Sequence, residues 1–102
     1  MSVKLTRLGW DVGEPPSVAS VERRLRREGV EPSVWSNGPH DRYAPHSHPY
    51  TKLLICAAGS ITFTVDGEPV ALQAGDGFLL PPETTHAATV GPDGCTCVEG
   101  HR

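Results

Sequence analysis

Three histidines carry the clearest chemical signal in this sequence. His46 and His48 are two positions apart, and residues i and i+2 of a strand point to the same face. Two imidazoles one pleat apart can chelate a metal ion, and His86, on a later segment, is the candidate for a third ligand. Three neutral imidazoles suit a divalent metal ion (Zn, Fe, Mn, Ni or Cu) and leave positions open for water or substrate. The pair alone fits equally well with two half-exposed histidines in a proline-rich loop.

The elements that must position these histidines are short strands separated by turns. Residues 60–65 alternate apolar and polar side chains, and Asp66-Gly67 is typical of a hairpin turn. Gly59 is expected to end the strand before them, and residues 91–94 to form a turn between two later strands. The expected strands span residues 34–36, 52–58, 60–65, 68–72, 78–80, 86–90 and 95–99. This spacing indicates an all-β barrel or sandwich.

The first part of the chain predicts one amphipathic helix over residues 17–28. Ser17 is a suitable N-cap and Gly29 a suitable stop. The apolar side chains expected to face the body of the protein are Val18, Val21 and Leu25. The arginines at 23–27 alternate with glutamates, which favours a solvated face over a nucleic-acid surface. We therefore predict an N-terminal extension over residues 1–37 and a barrel core over 38–102, within one domain.

Two segments resemble the conserved motifs of the cupin family. Residues 46–59 resemble the first motif, and in residues 75–86 Gly75, Pro81 and His86 have the spacing of the second. Glu83 departs from the second motif, which usually has glycine there. The fifteen residues between these segments match the short spacer of small microbial cupins. The resemblance implies a small single-domain cupin (jelly-roll-like) β-barrel whose interior binds a metal ion through His46, His48 and His86. It also implies a homodimer, for which Trp10 or Trp35 could supply the interface.

Lys52 is the main departure from the cupin pattern, because the family's first motif usually has a glutamate there. If Lys52 shares the face of His46 and His48, it points into the barrel. A neutral lysine there could accept a proton and a charged one could hold a substrate carboxylate, which makes Lys52 the candidate catalytic residue. The alternative is a lysine that extends to the barrel mouth without a role. Glu99 could replace the missing carboxylate if its face of the strand is interior, which the sequence leaves open.

Several other residues have simpler interpretations. Tyr50 could line the pocket or its rim, while a cysteine at position 56 is expected to pack in the interior. Cys95 and Cys97 share one face of a late strand with Glu99. The remaining aromatic and histidine positions are expected in the core (Phe63, Phe78) and on the surface (His40, His101).

Bulk properties limit the function further. The chain has 102 residues, a net charge of −3 and a pI near 5.9, which argues against nucleic acid and membrane as partners. Three cysteines and no apolar leader predict a cytoplasmic protein. Two functions remain: a metalloenzyme acting on a small molecule, of the dioxygenase or isomerase type, or a non-catalytic module that binds a small ligand, with or without metal.

Overall fold

The computed structural model describes residues 5–102, which form seven strands and one helix. The predicted all-β fold with one N-terminal helix is confirmed. The elements are β1 (Thr6–Leu8), α1 (Val18–Arg27), β2 (Ser33–Asn37), β3 (Arg42–His46), β4 (Lys52–Val65), β5 (Glu68–Gln73), β6 (Gly77–Leu80) and β7 (His86–His101).

All described strand pairs are antiparallel and belong to one sheet in the order β1-β6-β4-β7-β2, with β3 also on β7 and β5 also on β4. The two long strands, β4 and β7, pair along most of their length and carry the other strands on their flanks. The segment before residue 38 contributes β1 and β2 to this sheet. The sheet therefore closes around an interior as in a cupin barrel.

The expectation that Gly59 ends a strand is wrong, as is the expectation of a separate turn at 91–94. β4 and β7 run through both positions, and the register passes from Gly59↔Cys95 to Ile61↔Val90. Residues 91–94 therefore form a bulge in a continuous strand, which bends it. Gly59 has a φ of +73°, and a Cβ there would lie 2.0 Å from the Gly94 carbonyl oxygen. Glycine is required because the two backbones nearly touch at the bend.

Two apolar clusters hold the fold together. The interior cluster contains Phe63 and Phe78, whose rings meet edge to face at 5.0 Å, together with the three cysteines. The core roles expected for both phenylalanines and for Cys56 are thereby confirmed. The outer cluster lies under the helix and joins Leu25 to outward side chains of β4 and β7, among them Val98. The sheet is therefore apolar on both faces where α1 covers it.

Helix α1 begins after Ser17, whose side chain accepts a hydrogen bond from the Ser20 backbone in a capping box. Val21 and Leu25 are fully buried as predicted, but Val18 is 37% exposed. Ser20 and Arg24 complete the buried face instead, and the Arg24 guanidinium lies 2.6 Å from the Glu28 carboxylate. The arginine cluster is therefore not wholly solvated. At ten residues, α1 is too short to cross a membrane, and the described part of the chain has no longer apolar helix.

Candidate metal centre

The three predicted histidines come together in the structure, where His46 is exposed, His48 half-buried and His86 buried. One ring nitrogen from each of His46, His48 and His86 lies within 4.8 Å of the other two. The ring centroids are 4.3 Å apart for His46 and His86, 4.9 Å for His46 and His48, and 5.2 Å for His48 and His86. Such spacing leaves room for one ion between three imidazoles.

Strand pairing places two of these rings and a loop places the third. His46 is the last residue of β3 and faces His86, the first residue of β7, in the register. His48 lies beyond the end of β3, so its position is not set by strand alternation as the sequence suggested. Its carbonyl oxygen instead accepts a hydrogen bond from the Glu83 backbone at 2.7 Å. The loop between β6 and β7 therefore anchors the loop that carries His48.

Glu83 stands where the second cupin motif usually has glycine, and its backbone explains that preference. Its φ is +60°, in the left-handed region that glycine enters without steric cost. The turn leads directly to Thr84, whose carbonyl oxygen lies 2.9 Å from Nδ1 of His86. The substitution therefore retains the turn and adds backbone strain.

Hydrogen bonds to the backbone set the tautomers of two imidazoles. Nδ1 of His46 lies 2.7 Å from the Ala44 carbonyl oxygen, and Nδ1 of His86 lies 2.9 Å from that of Thr84. A carbonyl only accepts, so each Nδ1 carries the proton and each Nε2 presents its lone pair. Backbone bonds of this kind commonly orient histidine ligands of metals.

Burial favours the neutral, metal-binding form of His48 and His86. Burial lowers the pKa of His48 below its ordinary value, and the positive charge of Lys52 lowers it further. Burial also lowers the pKa of His86, against the opposing effect of the hydrogen bond to Thr84. The Nε2 atoms of His48 and His86 are buried and have no hydrogen-bond partner. Two buried ring nitrogens without a partner thus belong to histidines of the group that could hold a cation.

A pocket of about 160 Å³ adjoins the centre. Its polar side chains are His46, His86, Lys52 and Glu99, and its apolar wall consists of Trp35, Tyr43, Phe63, Ala87 and Ala88. The inward orientation expected of Lys52 is thus observed; the residue is 8% exposed. Its Nζ lies 3.3 Å from Oε2 of Glu99. The face of β7 that carries Glu99, left open by the sequence, is the interior one.

Trp35 is a pocket residue that the sequence did not identify. Its indole Nε1 donates to Oε1 of Glu99 at 2.6 Å, and its ring meets Tyr43 edge to face at 5.6 Å. Glu99 is therefore held from two sides, by an indole and by an ammonium group. The register pair Trp35↔Cys97 on β2 and β7 could have suggested this contact only if the strand pairing had been known.

The remaining predicted residues lie around the site. Tyr50 stacks on His48 with centroids 5.0 Å apart and touches His101 on its other side, so it belongs to the rim. His101 is exposed, as expected, but it joins this aromatic stack. His40 is exposed with a φ of +63° and takes no part in the centre. Trp10 packs partly buried against the outer cluster.

The sequence matches the family described as AraC-like ligand binding domain over residues 35–98. No curated protein shows significant sequence similarity to the chain. An RmlC-like cupin from Shewanella frigidimarina has a TM-score of 0.64 and 24% identity over 71% of this chain and 64% of its own length. A protein with a double-stranded β-helix domain from Klebsiella pneumoniae has a TM-score of 0.62 and 26% identity, covering 69% and 60%.

The DMSP lyase DddQ from Ruegeria pomeroyi is also similar in fold, with a TM-score of 0.66 and 23% identity over 72% of this chain. The aligned part is 38% of that lyase. The chain therefore spans less than two thirds of the length of each of these three structures. They establish the cupin fold.

Proposed function

Because the chain belongs to the AraC-like ligand-binding domain family, a group with the cupin fold, we propose that it binds one divalent metal ion and a small organic ligand beside it. His46, His48 and His86 hold the ion. The ligand occupies the adjoining pocket and reaches the positions that three protein ligands leave open.

The buried, unpartnered Nε2 atoms of His48 and His86 carry this proposal. A buried polar atom without a partner costs about 1–3 kcal/mol, so proteins rarely retain one without a reason. One ring nitrogen of each of these two histidines lies within 4.8 Å of the other and of a ring nitrogen of His46. One cation satisfies all three lone pairs at once.

Three imidazoles fit the borderline metals best. Neutral imidazole suits Zn, Cu, Fe and Ni, and the absence of a carboxylate among the three grouped ligands weakens the case for Mg or Ca. When bound, such an ion polarises a carbonyl or lowers the pKa of a water. Glu99 and Lys52 line the same pocket, and their opposite charges compensate each other.

The pocket supports a small and largely apolar ligand. Its volume of about 160 Å³ is that of about five water molecules at ~30 Å³ each. Rings and methyl groups form most of the wall, and the polar part consists of two of the histidines together with Lys52 and Glu99. A molecule with one metal-binding oxygen and a short apolar body matches this distribution.

Metal-dependent catalysis on that ligand is a second candidate, favoured by Glu99. Its carboxylate faces the pocket, and it is held by Trp35 and Lys52. A fixed carboxylate can move a proton to or from a ligand bound beside it. DddQ, a lyase of similar fold, gives this possibility a precedent but no substrate for this chain.

Calorimetric titration of the metal-free chain with Zn²⁺ tests the proposed function. We expect one ion per chain, and at least ~10-fold weaker binding when any one of the three histidines is replaced by alanine, because even outer-shell changes cost 10–100-fold. His40→Asn is the matched control, since His40 lies outside the centre and asparagine tolerates its left-handed backbone. Equal affinities for the control and the three alanine variants would contradict the proposal.

Azide added to the Co²⁺-loaded protein tests for open positions. We expect the visible Co²⁺ spectrum to change on azide binding, because the pocket reaches the histidines from one side. Replacing Ala88 by leucine fills the pocket wall and should weaken azide binding while leaving Co²⁺ affinity unchanged. A spectrum insensitive to azide would mean that the site is closed and structural. Turnover of any bound compound that is lost in Glu99→Gln with metal retained would favour catalysis over simple binding.

A further inference from the structure

A second cluster of reactive side chains lies inside the barrel, apart from the histidines. Cys56, Cys95 and Cys97 are all buried and all free thiols. We propose that Cys56 and Cys97 form an oxidation site, in which a peroxide converts the two thiols into a disulfide between β4 and β7. This inference is independent of the proposed metal and ligand binding.

Backbone geometry makes this pair suitable for a disulfide. Cys56 and Cys97 face each other in the β4–β7 register. The Cys56 amide donates to the Asp76 carbonyl oxygen at 2.9 Å, and its carbonyl oxygen accepts from the Gly75 amide at 2.8 Å. Both groups therefore point away from β7, which makes the pair with Cys97 a non-hydrogen-bonded one. Such pairs have Cα atoms about 4.5 Å apart, within the 4.4–6.8 Å that disulfides span.

The side chains of the pair also point the same way. Both belong to the interior cluster, so their thiols are neighbours. The Cys97 thiol lowers the pKa of Cys56, whereas the Cys56 thiol and burial raise the pKa of Cys97. The Cys56 thiol itself donates a hydrogen bond to the Ala58 carbonyl oxygen at 3.3 Å. Cys56 is therefore the thiol that more readily becomes the attacking thiolate.

The oxidation proceeds in two balanced steps. The Cys56 thiolate attacks one oxygen of hydrogen peroxide, the O–O bond breaks, and the released hydroxide takes the proton that Cys56 gave up. The product is a sulfenic acid on Cys56 and one water. The Cys97 sulfur then attacks the Cys56 sulfur, and the departing hydroxide leaves as a second water with the Cys97 proton. In sum, two thiols are oxidised to one disulfide and one peroxide is reduced to two waters.

Cys95 marks the route by which a small oxidant reaches the pair. It lines a second cleft, of about 240 Å³, together with Asn37, Gly59 and Asp93. Its thiol belongs to the same interior cluster as those of Cys56 and Cys97. Cys95 is 4% exposed whereas the other two are fully buried, so it is the outermost of the three thiols. It lies two positions from Cys97 on the same strand, whereas Cys56 is directly opposite Cys97, so the disulfide forms across the strands.

Peptide mapping after peroxide treatment tests the proposal. The folded, reduced chain is treated with hydrogen peroxide, its free thiols are alkylated in denaturant, and the products are weighed. We expect a mass decrease of two hydrogen atoms before alkylation and one alkylated cysteine, Cys95. Trypsin cannot separate the thiols, because residues 53–101 contain no Lys or Arg. Cleavage after Phe63 and Phe78 by chymotrypsin separates Cys56 from the other two.

Matched variants make the result specific. Cys95→Ser should still form the disulfide, whereas Cys56→Ala and Cys97→Ala should not. The melting curve of each variant establishes that it is folded before treatment. Three pairings in comparable amounts from the folded wild-type chain would contradict the proposal, as would a linkage through Cys95 or three thiols that stay free. Oxidation carried out in urea supplies the reference, since pairing in the unfolded chain depends on loop length and not on the strand register.

Discussion

Lys52 and Glu99 form an ion pair inside the barrel, with Nζ 3.3 Å from Oε2. Cupins usually have a glutamate at the position of Lys52, on the strand that follows the histidine pair. Here the carboxylate comes from the neighbouring strand, β7, where Glu99 is the register partner of Leu54. The pocket thus contains a carboxylate, but its charge is compensated by the lysine that takes the usual glutamate position.

Replacing Lys52 by methionine should tighten metal binding. The variant removes a buried cation that opposes a metal ion and leaves the Glu99 carboxylate unpaired near the histidines. We expect about 10-fold higher Zn²⁺ affinity, because charges a few ångströms apart interact by roughly 1–4 kcal/mol between bulk water and a protein surface. Competition with a chelator of known affinity measures it. Arg42→Met, which removes an exposed cation on β3, is the control. Unchanged affinity in Lys52→Met would mean that the pair does not influence the centre.

Replacing Glu99 by glutamine should destabilise the metal-free protein. The Trp35 indole keeps an acceptor, but the buried Lys52 ammonium loses its counter-charge. We expect the free energy of unfolding to fall by roughly 1–3 kcal/mol, the cost of leaving a buried polar group unsatisfied. Urea denaturation monitored by tryptophan fluorescence measures it. The double variant Lys52→Met/Glu99→Gln should recover most of the loss, and an equally unstable double variant would contradict this explanation.

Lowering the pH should release the metal and, over the same pH range, lower the stability of the metal-free protein. Only neutral imidazole binds metal, and the pKa values of His48 and His86 are lowered in the folded chain. Binding should therefore persist to below pH ~6.5, the ordinary histidine pKa, and then fall steeply. In the same range the unfolded chain binds more protons than the folded one, so the stability that neutral histidines contribute above pH ~6.5 is lost as the pH falls.

Bound Zn²⁺ and the urea midpoint, each measured from pH 8 to pH 4, check both expectations. The variant in which all three histidines are replaced by glutamine supplies the baseline for stability. A wild-type midpoint with the same pH dependence as this variant would show that the histidines contribute nothing to it.

The sequence pattern identified the residues of the site correctly, but it did not identify the structural elements that position them. His48 and Lys52 were expected inside from the alternation of a single strand, but β3 ends at His46 and β4 begins at Lys52. Both still reach the centre: a hydrogen bond from Glu83 holds the loop of His48, and Lys52 shares the interior face of β4 with Leu54 and Cys56. Strand alternation does not continue across a loop, so the sequence could not predict how these two side chains reach the centre.

The sequence could not predict which face of β7 points to the interior, for a different reason. Alternation correctly grouped Cys97 with Glu99 on one face, but Val98 on the other face is equally buried, under the helix. A strand that is apolar on both faces does not reveal which face is interior. The same holds for the bend at Gly59, because a glycine that ends a strand and one that allows a bulge have the same local signature.

Restoring glycine at position 83 should stabilise the fold. Glu83 has a φ of +60°, a conformation that costs an L-residue about 1–2 kcal/mol, while glycine loses roughly 0.5–1 kcal/mol in chain entropy. We expect Glu83→Gly to raise the free energy of unfolding by about 0.5–1 kcal/mol. Thermal and urea unfolding measure it. Glu68→Gly, on the extended strand β5, should destabilise. A loss of stability in Glu83→Gly would show that the Glu83 side chain contributes more than the strain it imposes.

The most direct test of the metal centre is X-ray absorption at the zinc edge of the Zn²⁺-loaded chain. The arrangement of His46, His48 and His86 predicts three imidazole nitrogens at about 2.0–2.1 Å, with one or two oxygen ligands from solvent or buffer. Alanine at position 86 should remove one imidazole from the spectrum. A spectrum with sulfur at about 2.3 Å, or with oxygen ligands alone, would place the ion elsewhere and contradict the three-histidine site.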